Sequence, residues 1–412
     1  MPGENTHAEP VAGGQYRFGF WAVAFAFLIV MAFATVPSPL YGLYRIRDGL
    51  SAFTVTVVYG IFAGGTIGAL LAVRFVAPRV GRRGVMLGAV VTMMVGAGVL
   101  AAWKALPGLL VGRLITGLAV GLVAGIAITY LIELRVRENP DASVARARNI
   151  GTAVNVGALG LGPLIAGCLA EWARAPLTLS YVVFLVLGAI ALIGLATTPE
   201  TGAPAPQAPA QRQAGASSRL ARVLIPGALA TLAAFSANGL FAGLSGLFLA
   251  VTFERPSHAL AGATLFLVFS AGVLSQLATD GLRARRVFAL GTVAMLIGLA
   301  MLVTSVRLST PSLTLFLLSG VSIGAGAGAV FKGTTGLVLQ ATPPENRLVA
   351  TSNLLIALFV GLSIPVIGAG VALDRGASPA NTVLGFAILV GLGVAGAGAL
   401  LVHALRDTQR PA

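Results

Sequence analysis

The chain has 412 residues, of which 57% are hydrophobic and 10% charged, with 53 glycines and a formal net charge of +14. A water-facing surface needs roughly 25% charged residues, so this composition excludes a soluble globular protein and implies a multi-pass membrane protein. The single Cys168 excludes a disulfide framework and a cysteine-based metal cluster, and His7, His258 and His403 are too scattered for a histidine metal site.

Twelve apolar segments of spanning length are predicted, approximately at 18–40, 52–76, 84–102, 107–132, 148–170, 176–197, 224–251, 258–279, 286–306, 312–340, 348–372 and 381–403. No cleavable leader is expected, because residues 1–16 are polar, lack basic residues and precede a run long enough to span. Residues 197–219 are rich in Pro, Ala, Gln and Ser, have no apolar period and read as a disordered linker. The expected organisation is a tail over 1–17, a six-helix bundle over 18–197, a linker over 198–223, a second bundle over 224–403 and a tail over 404–412. Basic residues concentrate in alternate loops, among them Arg79, Arg82, Arg83, Arg135, Arg137, Arg283, Arg285 and Arg286. Membrane orientation accounts for that placement, with both termini and the linker expected in the cytoplasm and no nucleic-acid partner implied.

The halves repeat. Gly117, Gly121 and Gly125 in the fourth segment match Gly320, Gly324 and Gly328 in the tenth at a displacement of 203 residues, and Pro163 and Pro365 lie 202 apart. Paired arginines, Arg82–Arg83 and Arg285–Arg286, end the loops after the second and eighth segments. Parallel repeats about an axis normal to the membrane place a site between the halves near mid-membrane.

The fifth segment contains GALGLGPLIAG, Gly157 to Gly167. Closely spaced glycines let two helix backbones touch. Pro163 removes a backbone donor and kinks the helix, and in a membrane neighbours must make good the loss. Two further features are intramembrane cations. Arg113, in the fourth segment, costs about 2.5–3.5 kcal/mol to insert at depth and is expected to face an interior partner or cavity rather than snorkel outward. Lys332, in the tenth, is placed equally well by snorkelling toward the cytoplasmic end.

On these residues the chain resembles the major facilitator superfamily, and within it the twelve-helix drug:proton antiporters. Gly162, Pro163 and Gly167 match that branch's fifth-helix antiporter pattern, with Ala166 and Ala158 standing for glycines. Arg113 and Gly117 match the fourth-helix Arg-x-x-x-Gly pattern, which implies an arginine in proton relay. In the loop after the second segment Arg79, Gly81, Arg82 and Arg83 match the superfamily pattern, while Arg74 replaces its glycine and Pro78 its aspartate. The missing aspartate leaves Asp280, beside Arg283, Arg285 and Arg286, as the expected carrier of the inward latch. Glu133, closing Tyr130-Leu-Ile-Glu133, is expected to pair with Arg135, Arg79 or Arg146 at the cytoplasmic end. The resemblance implies an all-α integral membrane protein of twelve transmembrane helices in two pseudo-symmetric six-helix bundles. It also implies a monomeric carrier, not an enzyme, in the cytoplasmic membrane, with a small-molecule substrate, protons and the lipid bilayer as partners and no cofactor or metal.

A proton-coupled carrier needs a titratable group that both proton and substrate reach, and none of the thirteen acids lies deep in a helix. Asp48, after the first segment and close to Arg45 and Arg47, is the candidate in the outer vestibule. Among polar side chains in cavity-lining segments, Asn155 and Asn238 are favoured as ligands because an amide donates and accepts, and Tyr41 joins them. If Arg113 and Lys332 both face the cavity without acidic partners, the cavity is positive and favours anionic or zwitterionic substrates. The expected function is export of small organic compounds, antibiotics included, in exchange for protons. The alternatives are a facilitator or exchanger of a small anionic metabolite and a non-transporting membrane sensor.

Overall fold

The computed structural model describes residues 13–141, 143–201 and 214–409. Its helices are α1 (Gly13–Phe33), α2 (Tyr41–Asp48), α3 (Ala52–Ala102), α4 (Leu106–Glu138), α5 (Val144–Trp172), α6 (Pro176–Ala196), α7 (Ala214–Val251), α8 (His258–Ala278), α9 (Ala284–Arg307), α10 (Leu313–Gln340), α11 (Arg347–Asp374) and α12 (Pro379–Gln409). Among the described residues they supply twelve spans long and apolar enough to cross a membrane. One span runs from α1 through α2, and α3 supplies two.

The first span departs from the predicted 18–40. Pro37 and Pro39 cannot donate backbone hydrogen bonds, so the helix loosens into turns after Phe33, passes through a 3-10 turn over Ser38–Leu40 and resumes as α2 to Asp48. The loop expected after the second span is helical almost throughout. Pro78 sits inside the helix, and the chain turns at Gly81, whose φ of 74° is open to glycine at little cost. The segment predicted as a disordered linker is ordered at both described ends: Thr198 and Thr201 are buried, and α7 begins at Ala214 rather than 224. Its middle, 202–213, and the tail over 1–12 lie outside the described residues.

Small residues set the packing. A side chain on Gly117 or Gly121 would collide with the carbonyls of Phe62 and Thr66 on α3, and one on Gly324 or Gly328 with the carbonyls of Val268 and Gly272 on α8. These equivalent contacts pair Gly117 with Gly324 and Gly121 with Gly328, a displacement of 207 residues rather than 203. A glycine every fourth residue maps onto itself when slid by one turn, so spacing alone cannot choose the register. Across the halves, α5 packs on α8 and α3 on α11. These two helix pairs form the seam between the first six spans and the last six.

Candidate functional site

Prolines leave carbonyl oxygens without helical donors, and two of these, Ala34 O and Leu159 O, find side-chain donors. Ala34 is followed at the third position by Pro37, and Ser38 N donates to Thr35 O instead, so Ala34 O is free. It accepts from Arg113 Nη1 at 2.5 Å. In α5, Pro163 strips Leu159 O of its helical donor, and Thr35 Oγ1 donates to it at 2.8 Å. Consecutive residues of the broken first span are thereby pinned to α4 and α5.

Arg113 is 1% exposed. Besides Ala34 O it donates from Nη2 to Tyr59 O at 3.3 Å, and its guanidinium lies 4.7 Å from the Phe62 ring centroid and 5.8 Å from that of Tyr59. Among the described residues no carboxylate pairs with it, and Arg113 Nε has no partner. Two carbonyls and two aromatic faces therefore carry a buried positive charge. The aromatic contacts reach the second half: Phe62 meets Phe359 of α11 edge-on at 6.0 Å, and the ring of Tyr59 lies against Gly243 of α7.

The fifth-span glycines serve two faces. Gly162 meets the Ala32 carbonyl of α1 in its own half, whereas Gly157, Gly160 and Gly167 meet Val273, Phe266 and His258 of α8 in the other. Pro163 contributes its carbonyl to the second face, against Gly262.

One end of the seam is tied by a pseudo-symmetric pair of carboxylates. Glu171, at the end of α5, accepts from the amides of His258 and Ala259 at the start of α8, and from Ser257 Oγ. Asp374, at the end of α11, accepts from the amides of Ala52 and Phe53 at the start of α3. Each helix start also carries its own serine cap, Ser257 or Ser51. Carboxylates suit such ends because first-turn amides are unpaired and the helix dipole is positive there. His258 Nδ1 lies 3.1 Å from Pro39 O and adds a further link across this tied end. At the opposite, basic end, Asn149 Nδ2 donates across the seam to Asp280 at 3.2 Å.

No curated protein sequence matches the chain. The profile of the family described as sugar (and other) transporter matches residues 15–137, the first four spans. Among solved structures, a mutant of the nucleoside transporter NupG aligns over 95% of this chain and 100% of its own at 14% identity and a TM-score of 0.68. A bacterial homologue of the human lysosomal transporter Spinster, inward-facing and unoccupied, aligns over 100% of both chains at 14% identity and a TM-score of 0.69. The fold is that of the major facilitator transporters. It comes with multi-pass membrane architecture, and at this identity the likeness extends to the fold.

Within the major facilitator fold, the sequence-expected residues separate into groups. Arg113 and Tyr41 are buried on the first span's side of the seam. The side-chain oxygens of Asn155 and Asn238 are also buried and have no partner among the described residues. Lys332 does not carry a free charge into the interior: it donates to Gln276 O and pairs with Asp280 at 3.4 Å. Asp280 is thus held by Lys332 and Asn149 rather than by Arg283, Arg285 and Arg286, and Arg285 is exposed. These partners hold its carboxyl below the usual aspartate range, the hydrogen bond from Asn149 first. Asp48 is bonded to Arg47, which also donates to Lys104 O, so it forms a surface pair.

Glu133 pairs with Arg82 at 2.6 Å and accepts from Thr201, not from the arginines expected for it. Arg135 takes Glu138 instead. Arg79 is exposed and donates to Phe75 O. The first-half aspartate replaced by Pro78 has a stand-in: Glu200 accepts from the amides of Arg82 and Arg83, both at 3.0 Å, beside Gly81. Glu171, Asp374, Asn149 and Glu200 had no sequence-assigned role. The available signal was position, since Glu171 and Asp374 lie at the ends of α5 and α11, the helices carrying Pro163 and Pro365, and are 203 residues apart.

Proposed function

We propose that this chain is a carrier that moves small organic compounds across the membrane by alternating access between its two halves. The observation supporting this most directly is the reciprocal tie of Glu171 to α8 and Asp374 to α3, which closes the seam at one end. The glycine faces of α5, Pro163 within that helix and the break after Phe33 lie along the same seam and give the halves surfaces that can rock. The inward-facing state of the Spinster homologue suits the same arrangement if the tied end faces outward. The positive-inside bias supports that orientation, with the termini in the cytoplasm and the protein in the cytoplasmic membrane.

Export of drug-like compounds in exchange for protons is the finer reading. The Gly162-Pro163 helix favours it, and the lack of a carboxylate beside Arg113 among the described residues weighs against it. Flux of cationic, neutral and anionic compounds into proteoliposomes, with and without an imposed pH gradient, is the test. Acceleration by the gradient supports exchange. Flux indifferent to it makes the chain a facilitator or exchanger, and binding without any flux removes the carrier reading.

A further inference from the structure

The turn between α8 and α9 carries three arginines, Arg283, Arg285 and Arg286, and all of them are exposed. Arg283 is the N-cap residue of α9, and the other two lie in its first turn, which contains no acidic residue. A helix start is the positive end of its dipole, so cations gathered there are disfavoured unless an anion sits with them. Among the described residues no carboxylate lies within ion-pair distance of any of the three. Asp280, the acid nearest in the chain, is taken by Lys332 and Asn149.

The first half shows what such a turn holds. There Glu200 spans the amides of Arg82 and Arg83, while Glu133 takes the Arg82 side chain. The paired arginines of the first half thus sit with two carboxylates. The second pair, Arg285 and Arg286, has the same charge and no such occupant among the described residues.

The surroundings of the second pair select the kind of anion. Arg286 heads a stripe of α9 that runs on through Leu290, Val293 and Ile297, the spacing of a single helix face. All three apolar residues are more than half exposed. The other side of α9, with Phe288, Met295 and Leu302 buried, packs on α10 and α12. In a bilayer an exposed apolar stripe lies against acyl chains, and cations at its end lie at headgroup level. Leu282, in the turn itself, is exposed beside the arginines. Positive-inside orientation accounts for the number of these arginines and not for their standing unpaired over such a stripe.

We propose that the α8–α9 turn is a binding site for an anionic phospholipid. Arg283, Arg285 and Arg286 hold its phosphate, and the stripe from Leu290 to Ile297 carries an acyl chain. The site belongs to the leaflet at the basic end and does not depend on the carrier reading.

The test places the full chain, carrying Cys168→Ser, in phosphatidylcholine bilayers with a minor share of phosphatidylglycerol, and attaches a bimane fluorophore at Val293→Cys. Val293 lies about 10 Å below Arg286 at 1.5 Å per residue, within reach of bromines at mid-chain of a bound lipid. Brominating one lipid or the other then measures how often each touches the label. Phosphatidylglycerol should be favoured at least about threefold over its bulk share. Val91→Cys, a similarly exposed position 202 residues earlier and beneath Arg82 and Arg83, should show no more than about half that preference, because those arginines already hold carboxylates. Arg283→Gln, Arg285→Gln and Arg286→Gln together should bring the Val293 preference down to the Val91 level. Arg283→Lys, Arg285→Lys and Arg286→Lys together should keep most of it. The comparison of the two reporters replaces no arginine, so it stands even where the triple glutamine variant fails to fold. Equal preference at both reporters would overturn the proposal, because the charge of the whole end would then explain it. Loss of the preference on adding soluble glycerol phosphate would also overturn it, by showing a phosphate site that does not need the membrane.

Discussion

Thr35 Oγ1 donates to the carbonyl oxygen of Leu159, and that oxygen is free because the residue four positions on is Pro163. The broken first span thus supplies the donor that Pro163 removes from α5, while its own freed carbonyl, Ala34 O, is served by Arg113 of α4. Replacing Thr35 by Val keeps the shape and leaves a buried carbonyl unpaired, at an expected cost of about 1–3 kcal/mol. In a Pro163→Ala background residue 163 regains its amide, so the same replacement should cost much less. A double-mutant cycle on thermal unfolding measures the difference. Equal costs in both backgrounds would show that the hydrogen bond does not compensate for the proline.

Arg113 holds Ala34 O and Tyr59 O with two different nitrogens while its flat face lies near Phe62. Lysine keeps the charge but presents one compact ammonium in place of the planar fork. Arg113→Lys should therefore lower the melting temperature and reduce substrate flux at least tenfold, read in proteoliposomes. Unchanged flux would make the arginine dispensable to transport.

The carboxylate caps predict a shift in which end is closed. Removing a capping side chain costs about 0.5–2 kcal/mol, toward the lower figure where solvent screens it. Glu171→Ala combined with Asp374→Ala should open the tied end. With Cys168→Ser to clear the background, an Ala261→Cys reporter near the start of α8, 2% exposed in the native protein, should react several-fold faster with a membrane-impermeant maleimide. An unchanged rate would mean that the glycine faces alone hold the end shut.

Asp280 sets a pH expectation for the basic end. Its folded-state carboxyl is held below the ordinary aspartate value by Asn149 and Lys332. A depressed pKa contributes stability that is present above the unfolded value, about 3.9 for aspartate, and lost as pH falls through the folded one. The contact should therefore persist across pH 5–8, so Asp280→Asn should leave the shape of any pH profile of flux in that window unchanged. A profile that moves with this substitution would place Asp280 in proton coupling.

The residues differ in how far their roles could be read from the chain. Arg113 was legible as an interior cation because a guanidinium at that depth is expensive in lipid. Its partners were not, because Ala34 O becomes free only through the turn that Pro37 imposes. Lys332 was ambiguous because its long stem reaches either way, and Asp280 decided the matter. Glu133 was legible as an end-of-helix partner, but Arg82 reaches it only because the chain turns at Gly81.

The sequence by itself determined the number of spans, the positions of the prolines and glycines that shape the helices, and the lack of a deep carboxylate. Hydrophobic length, proline and glycine act locally, and their effects are written along one dimension. Only the tertiary structure decided the glycine register, the donors to the freed carbonyls, the cross-half caps of Glu171 and Asp374, and the stand-in of Glu200 at Gly81. Each depends on which backbone group a neighbouring helix presents, and that is fixed when the helices pack.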